Sequence, residues 1–131
     1  LDFFNGQKLS FSIDLVEKEQ LLKESDFITL HVPAQENYVI AAPEFEKMKD
    51  GVGIVNAARG GVLSEVDLVT AIESGKVQFA GLDVFENEPK PEIQLLMNPD
   101  LSLTPHIGAA TNEAQDRIGV ELANQIIKLL A

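Results

Sequence analysis

Cysteine and tryptophan are both absent from this chain of 131 residues. Without cysteine there is no disulfide, no thiol nucleophile and no cysteine-ligated zinc, which is compatible with a reducing, cytoplasmic compartment. Positive charge is scarce as well: ten Lys and Arg stand against 21 Asp and Glu, for a formal net charge of −11. So acidic a chain offers no broad surface to phosphate backbones, and nucleic acid is not an expected partner. No apolar run approaches the roughly 18 residues of a membrane span, and no basic segment leads into an apolar stretch. The expectation is a soluble, unprocessed protein without membrane contact. Its length fits a single domain, residues 1–131, with a core of its own.

What is present is a series of short apolar blocks alternating with segments of helical period. "GVGIVNAARGG", residues 51–61, contains G-x-G, but a dinucleotide fingerprint needs a preceding strand and a third glycine three positions on. That position is Asn56, and the β-branched pair Ile54-Val55 follows the glycines. The segment reads as a strand that delivers Asn56 and Arg59 to its carboxyl end. It is not a phosphate loop.

Upstream, Asp14 and Glu17 frame a D-x-x-E capping box for a helix running to about Lys23. The spacing then predicts strands near 26–32, 52–57, 78–84 and 101–105, parallel and adjacent in that order. Pro43 suits the first turn of "PEFEKMK", which Gly51 terminates. Ser64 caps "EVDLVTAIES" and Gly75 stops it. Thr111 caps a final helix in which Ala114, Ile118, Leu122, Ile126 and Leu130 share one face. Helix-linked parallel strands imply a sheet buried on both faces.

Ligands of such sheets bind beyond the carboxyl ends of the strands. His31 ends the first strand of the series, Asn56 and Arg59 the second, Asp83 and Glu88 follow the third, and His106 follows the fourth. One rim thus gathers an arginine, two carboxylates and both histidines. Histidine changes charge near neutral pH, so His106 in "TPHIGAAT" is either a proton carrier or a structural strand-end residue. Glu88 is either its partner, fixing the imidazole tautomer, or a surface acid. Arg59 offers a planar fork of donors to a carboxylate or carbonyl, or forms a structural ion pair. His31, directly before Val32-Pro33, reads as structural. Asp83 lies between apolar Leu82 and Val84 and needs a strong partner there. No metal constellation, G-x-S-x-G elbow or G-K-[ST] loop is found.

Four stretches carry a resemblance: "LLKESDFITLHVP", "MKDGVGIVNAARGGVLSEVDLVTAIESGKVQFAGLDVFENEP", "LTPHIGAAT" and the closing amphipathic helix. Over about residues 11–130 the chain resembles the nicotinamide-binding domain of the D-isomer-specific 2-hydroxyacid dehydrogenases. Within that family it looks most like the D-3-phosphoglycerate dehydrogenase branch. The resemblance implies an NAD-dependent oxidoreductase acting on a 2-hydroxy or 2-oxo acid, 3-phosphoglycerate-like, in cytoplasmic serine biosynthesis. It further implies that Arg59 binds the substrate carboxylate, that His106 is the acid–base group and that Glu88 is its hydrogen-bond partner. Asp83 would hold the nicotinamide carboxamide. Ala57, Ala58, Gly108 and Ala109 would let the backbone approach NAD, Arg59 and His106 would border it, and Val32 and Pro33 would line its adenosine side.

The family's G-x-G-x-x-G, the acidic residue that follows it and the separate substrate domain are not found in this sequence. The implied fold is therefore an incomplete Rossmann-like α/β sheet with flanking helices, the second half of a doubly wound domain. Its isolated form is expected to turn over nothing. Residues 1–10 align to nothing, and the unpaired side of "FITLHV" would be an apolar edge that "KLSFSI" covers or that drives homodimer formation. Two rival readings remain: a non-catalytic interaction module of the same fold, and a nucleotide-sensing corepressor-like protein.

Overall fold

The computed structural model of the chain describes residues 12–130. Its elements run α1 (Lys18–Glu24), β1 (Phe27–Leu30), α2 (Ala42–Lys47), β2 (Val52–Asn56), α3 (Glu65–Glu73), β3 (Val77–Leu82), α4 (Ile93–Leu96), β4 (Leu101–Leu103) and α5 (Asn112–Leu130). The four strands form one sheet in the order β1-β2-β3-β4, and every pairing is parallel. This is the expected α/β architecture, with each strand slightly shorter than its apolar run.

Local signals account for most of the boundaries. The Ser64 hydroxyl accepts a hydrogen bond from the Asp67 N–H at 3.3 Å, satisfying one of the free donors that open α3. Gly75, at φ +76°, ends that helix in the left-handed region. Thr111 Oγ1 accepts from the Ala114 N–H at 3.2 Å and opens α5. The capping box at Asp14 does not form. α1 starts at Lys18 with Glu17 as its cap and no side-chain cap bond. The short α4, anchored in the core by Leu95, falls in a proline-rich stretch with no helical period.

The core lies on one face of the sheet. Ile28, Leu30, Val52, Ile54, Ala80 and Leu82 pack against Leu22 of α1, Phe45 of α2, Leu68 and Ile72 of α3, and Leu95 of α4. The other face corrects the expectation of two-sided burial. Phe27 is 73 % exposed, and Thr29, Val55 and Phe79 are exposed beside it. Among the described residues no helix covers them. Only Ala114 of α5 is buried, so the stripe of Ile118, Leu122, Ile126 and Leu130 faces solvent. Among the described residues β1 is an edge strand, as expected. Its proposed cover, residues 8–13, falls outside the described residues except for Ser12 and Ile13, which are both exposed.

Candidate active site

Because all four strands run parallel, their carboxyl ends make one rim, and the loops leaving it carry every candidate side chain. Val32 and Pro33 follow β1. Ala57, Ala58 and Arg59 follow β2, Asp83 and Glu88 follow β3, and His106, Gly108 and Ala109 follow β4.

Asn56 shapes the second loop. It is buried; its Oδ1 accepts from the Ala58 N–H at 3.1 Å, and its Nδ2 donates to the Arg59 carbonyl at 3.1 Å. The Arg59 guanidinium lies back on its own loop, donating from Nη1 to the Ala58 carbonyl at 2.6 Å. At Gly60 a Cβ would sit 1.9 Å from the Phe85 carbonyl oxygen, so the Arg59 loop presses directly on the backbone leaving β3.

Asp83 is buried and accepts three hydrogen bonds. Its Oδ1 accepts from the Thr104 hydroxyl at 2.6 Å and the Ile107 N–H at 2.9 Å, and its Oδ2 accepts from the Gly108 N–H at 2.8 Å. Burial pushes this carboxyl up, but these three donors, with the nearby His106 charge, outweigh it and hold the pKa below the ordinary value. A Cβ at position 108 would come within 2.9 Å of Asp83 Oδ2, so the close approach requires glycine. Asp83 therefore fixes the turn that presents His106.

Glu88 and His106 meet. Glu88 Oε2 lies 2.8 Å from His106 Nδ1, while Glu88 Oε1 accepts from the Phe85 N–H at 3.0 Å. The hydrogen bond to His106 first, and the Phe85 N–H second, hold the Glu88 carboxyl below its ordinary pKa. An ionised carboxylate on Nδ1 fixes that nitrogen as a donor and leaves Nε2 for proton exchange with a ligand. His106 has φ +54°, in the left-handed region that non-glycine residues seldom occupy. Beside the pair is an open apolar cavity of about 400 Å³ bounded by Phe85, Pro89, Leu96 and Leu103.

The remaining candidates stand further apart. His31 is exposed, with Nε2 3.0 Å from the Thr29 hydroxyl, and three strand spacings, roughly 14 Å, separate its strand from that of His106. Arg59 and His106 leave strands two spacings apart, roughly 10 Å, with the Asp83 and Glu88 loop between them. The described residues show no direct bond from Arg59 to Glu88 or His106. Sequence reasoning missed Thr104, whose hydroxyl anchors Asp83, and it missed Glu65, Glu86 and Tyr38, which bind one another beneath the Glu88 turn. Threonine at a strand end is the only signal that could have pointed to the first. The others depend on contacts across 21 and 48 residues of sequence.

A parallel sheet whose carboxyl rim is paved with small residues and bears a carboxylate–imidazole pair defines a Rossmann-like nucleotide-binding domain. The profile of the D-isomer specific 2-hydroxyacid dehydrogenase NAD binding domain matches residues 5–108. A hydroxypyruvate reductase from Thermotoga maritima is 50% identical over 123 residues, which cover 90% of this chain and 40% of that protein. A D-3-phosphoglycerate dehydrogenase from Archaeoglobus fulgidus is 47% identical over 120 residues, covering 89% and 23%. The solved glyoxylate reductase from Paecilomyes thermophila superposes with a TM-score of 0.77 at 45% identity, covering 85% of this chain and 34% of that one. A D-lactate dehydrogenase from Aquifex aeolicus, solved with NAD and lactic acid, gives 0.71 at 32%, covering 88% and 40%. The chain belongs to the D-isomer-specific 2-hydroxyacid dehydrogenase family, as its NAD-binding domain. It spans 40% of the length of the first of these relatives and 23% of the second.

Proposed function

We propose that this domain serves an enzyme that interconverts a D-2-hydroxy acid and its 2-oxo acid, with His106 as the acid–base group. The observation that carries the reading is the 2.8 Å contact between His106 Nδ1 and Glu88 Oε2 on the ligand rim. Glycine at 108, where a Cβ would strike Asp83, and alanines at 57, 58 and 109 suit close backbone approach to a dinucleotide. NAD, when bound, supplies or accepts the hydride at the carbon bearing the oxygen.

The chain's own residues do the rest. In reduction, His106 Nε2 gives a proton to the carbonyl oxygen as negative charge develops there; in oxidation it takes the proton back. Glu88 keeps Nδ1 protonated and the ring oriented. Arg59, swung off the Ala58 carbonyl, binds the substrate carboxylate through its fork. Asp83 holds the His106 turn and offers the remaining lone pair of Oδ2 to the carboxamide. Val32 and Pro33 border the adenosine.

The preferred substrate is 3-phosphoglycerate-like, in cytoplasmic serine biosynthesis, a reading supported by the 47% identity to a D-3-phosphoglycerate dehydrogenase. The 50% identity to a hydroxypyruvate reductase supports a small 2-oxo acid as the second reading. In the enzyme that carries this domain, kcat/KM for phosphohydroxypyruvate, hydroxypyruvate and glyoxylate separates the two. There His106→Ala should lower kcat by about 10²–10⁴-fold, and Arg59→Lys should raise KM for the acid. A His106→Ala enzyme with wild-type kcat refutes the reading. These 131 residues alone contain no glycine fingerprint, so fluorescence titration of the chain should give NADH binding weaker than micromolar. Each hydrogen bond to a charged group is worth about 1.5–3 kcal/mol.

A further inference from the structure

The Glu88 turn rests on a set of side chains outside the ligand rim. Glu65, the first residue of α3, is 6% exposed. Its Oε1 accepts from the Glu86 N–H at 2.6 Å, and Glu86 Oε1 accepts in return from the Glu65 N–H at 2.9 Å. The Tyr38 hydroxyl donates to Glu86 Oε2 at 3.0 Å. The residue next to Glu86 is Phe85, whose N–H holds Glu88 Oε1 and whose carbonyl meets Gly60. From Glu65, two hydrogen bonds and the main chain of one residue, Phe85, thus reach Glu88 Oε1, whose partner oxygen Oε2 meets His106.

We propose that Glu65, Glu86 and Tyr38 are positioning residues: they clamp the start of α3, and with it the Arg59 loop, to the Phe85–Glu88 turn, and so set Glu88 against His106. The inference rests on the acid–base reading of that pair, but the clamp itself is a statement about geometry. Two observations separate it from ordinary packing. The two glutamates exchange backbone N–H bonds reciprocally, so one carboxylate on each side fixes the other's main chain. Glu65 also holds this position although burial, against the opposing Glu86 N–H bond and with the charges of Glu86, Glu92 and Glu88 adding to it, pushes its carboxyl above its ordinary value. A carboxyl in so unfavourable a place serves through its acceptor atoms, which satisfy a main-chain donor that would otherwise be buried unpaired.

The test reads the titration of the Glu88 carboxyl carbon by NMR in the full chain, identified by its loss in Glu88→Gln, and needs no turnover. Glu65 has the higher pKa of the two and is uncharged over the range in which Glu88 ionises, so by Coulomb's law alone its replacement leaves the Glu88 titration where it is. Loss of the clamp moves it up, because the His106 and Phe85 donors drift away. Glu65→Ala is therefore expected to shift Glu88 upward and to speed amide exchange at Phe85 and Glu86 by roughly tenfold or more. Glu65→Gln retains an acceptor for the Glu86 N–H and is expected to leave Glu88 at its wild-type value. Glu86→Ala alters only an exposed side chain, so it folds even if Glu65→Ala does not. It is expected to give a smaller upward shift, and Tyr38→Phe a smaller one still. A downward or absent shift in Glu86→Ala, or an equal upward shift in Glu65→Gln and Glu65→Ala, overturns the clamp. An intact clamp in an enzyme whose His106→Ala variant is fully active would overturn the acid–base reading alone.

Discussion

The covered and uncovered faces of the sheet are built from alternate residues of the same strands, yet they have opposite surroundings. Ile28, Ile54 and Ala80 stand side by side in register under the helices. One residue along, Phe27, Gly53 and Phe79 line up on the open side, where the two phenyl rings tilt together over the glycine with centroids 5.9 Å apart. Both faces are apolar, so hydrophobicity alone does not decide which is buried. What decides is where the crossovers go: α2 and α3, which link β1 to β2 and β2 to β3, both pack on one side, as consecutive right-handed crossovers must.

The largest test of this contrast is a matched pair in β2. Ile54→Ala empties a fully buried site and should cost about 2–5 kcal/mol in urea unfolding. Val55→Ala, on the open face, should cost about 1 kcal/mol or less. Equal costs would mean that the open face is covered in solution. Two glycines give the next contrast. Gly60→Ala drives a methyl into the Phe85 backbone and should destabilise by roughly 1–3 kcal/mol. Gly53→Ala meets only the rims of Phe79 at 2.5 Å and Phe27 at 2.8 Å, which can swing into solvent, so its loss should be under about 1 kcal/mol. A large loss at Gly53 would again reveal a cover.

Titration separates the rim from the helical layer. Asp83 and Glu88 have folded pKa values below their ordinary 3.8 and 4.5, so their contribution is complete above those values. It is lost as pH falls through the folded values. Asp83→Asn should accordingly cost about 1–2 kcal/mol at neutral pH, through its mispaired amide donors, and flatten the acid limb of the stability curve. Glu65 has the opposite sign. Its folded pKa is raised, so its contribution is complete below 4.5 and declines as pH rises through the folded value. Glu65→Gln should therefore give the smallest effect, a slight gain in Tm at pH 7 that vanishes near pH 4.

The sequence was most legible where structure is local. Ser64, Gly75 and Thr111 mark helix ends through bonds or dihedrals within a few residues, and all three behave as read. The strand order followed from short helical connections. Asp14 misled because a D-x-x-E pattern does not itself start a helix, and α1 begins with the residue after Glu17. The open face was illegible because "FITL" and "VGIVN" are apolar at nearly every position, which reads as burial on both sides. The site was legible as a set of rim residues, since strand ends announce themselves, and the Glu88–His106 pair followed from the resemblance. The Asp83 and Glu65 networks were not legible. Their bonds join residues 21 to 25 apart, and nothing in the local spelling distinguishes those carboxylates from solvated ones.

His106 adopts a backbone conformation that costs an L-residue with a side chain about 1–2 kcal/mol. Glycine would relieve it fully and asparagine in part, and either exchange would leave the Asp83 bonds to Ile107 and Gly108 in place, because those involve main-chain donors. Position 106 is thus a point where backbone relief and the imidazole side chain are alternatives. Exchange to glycine would therefore raise the melting temperature while removing the imidazole that meets Glu88.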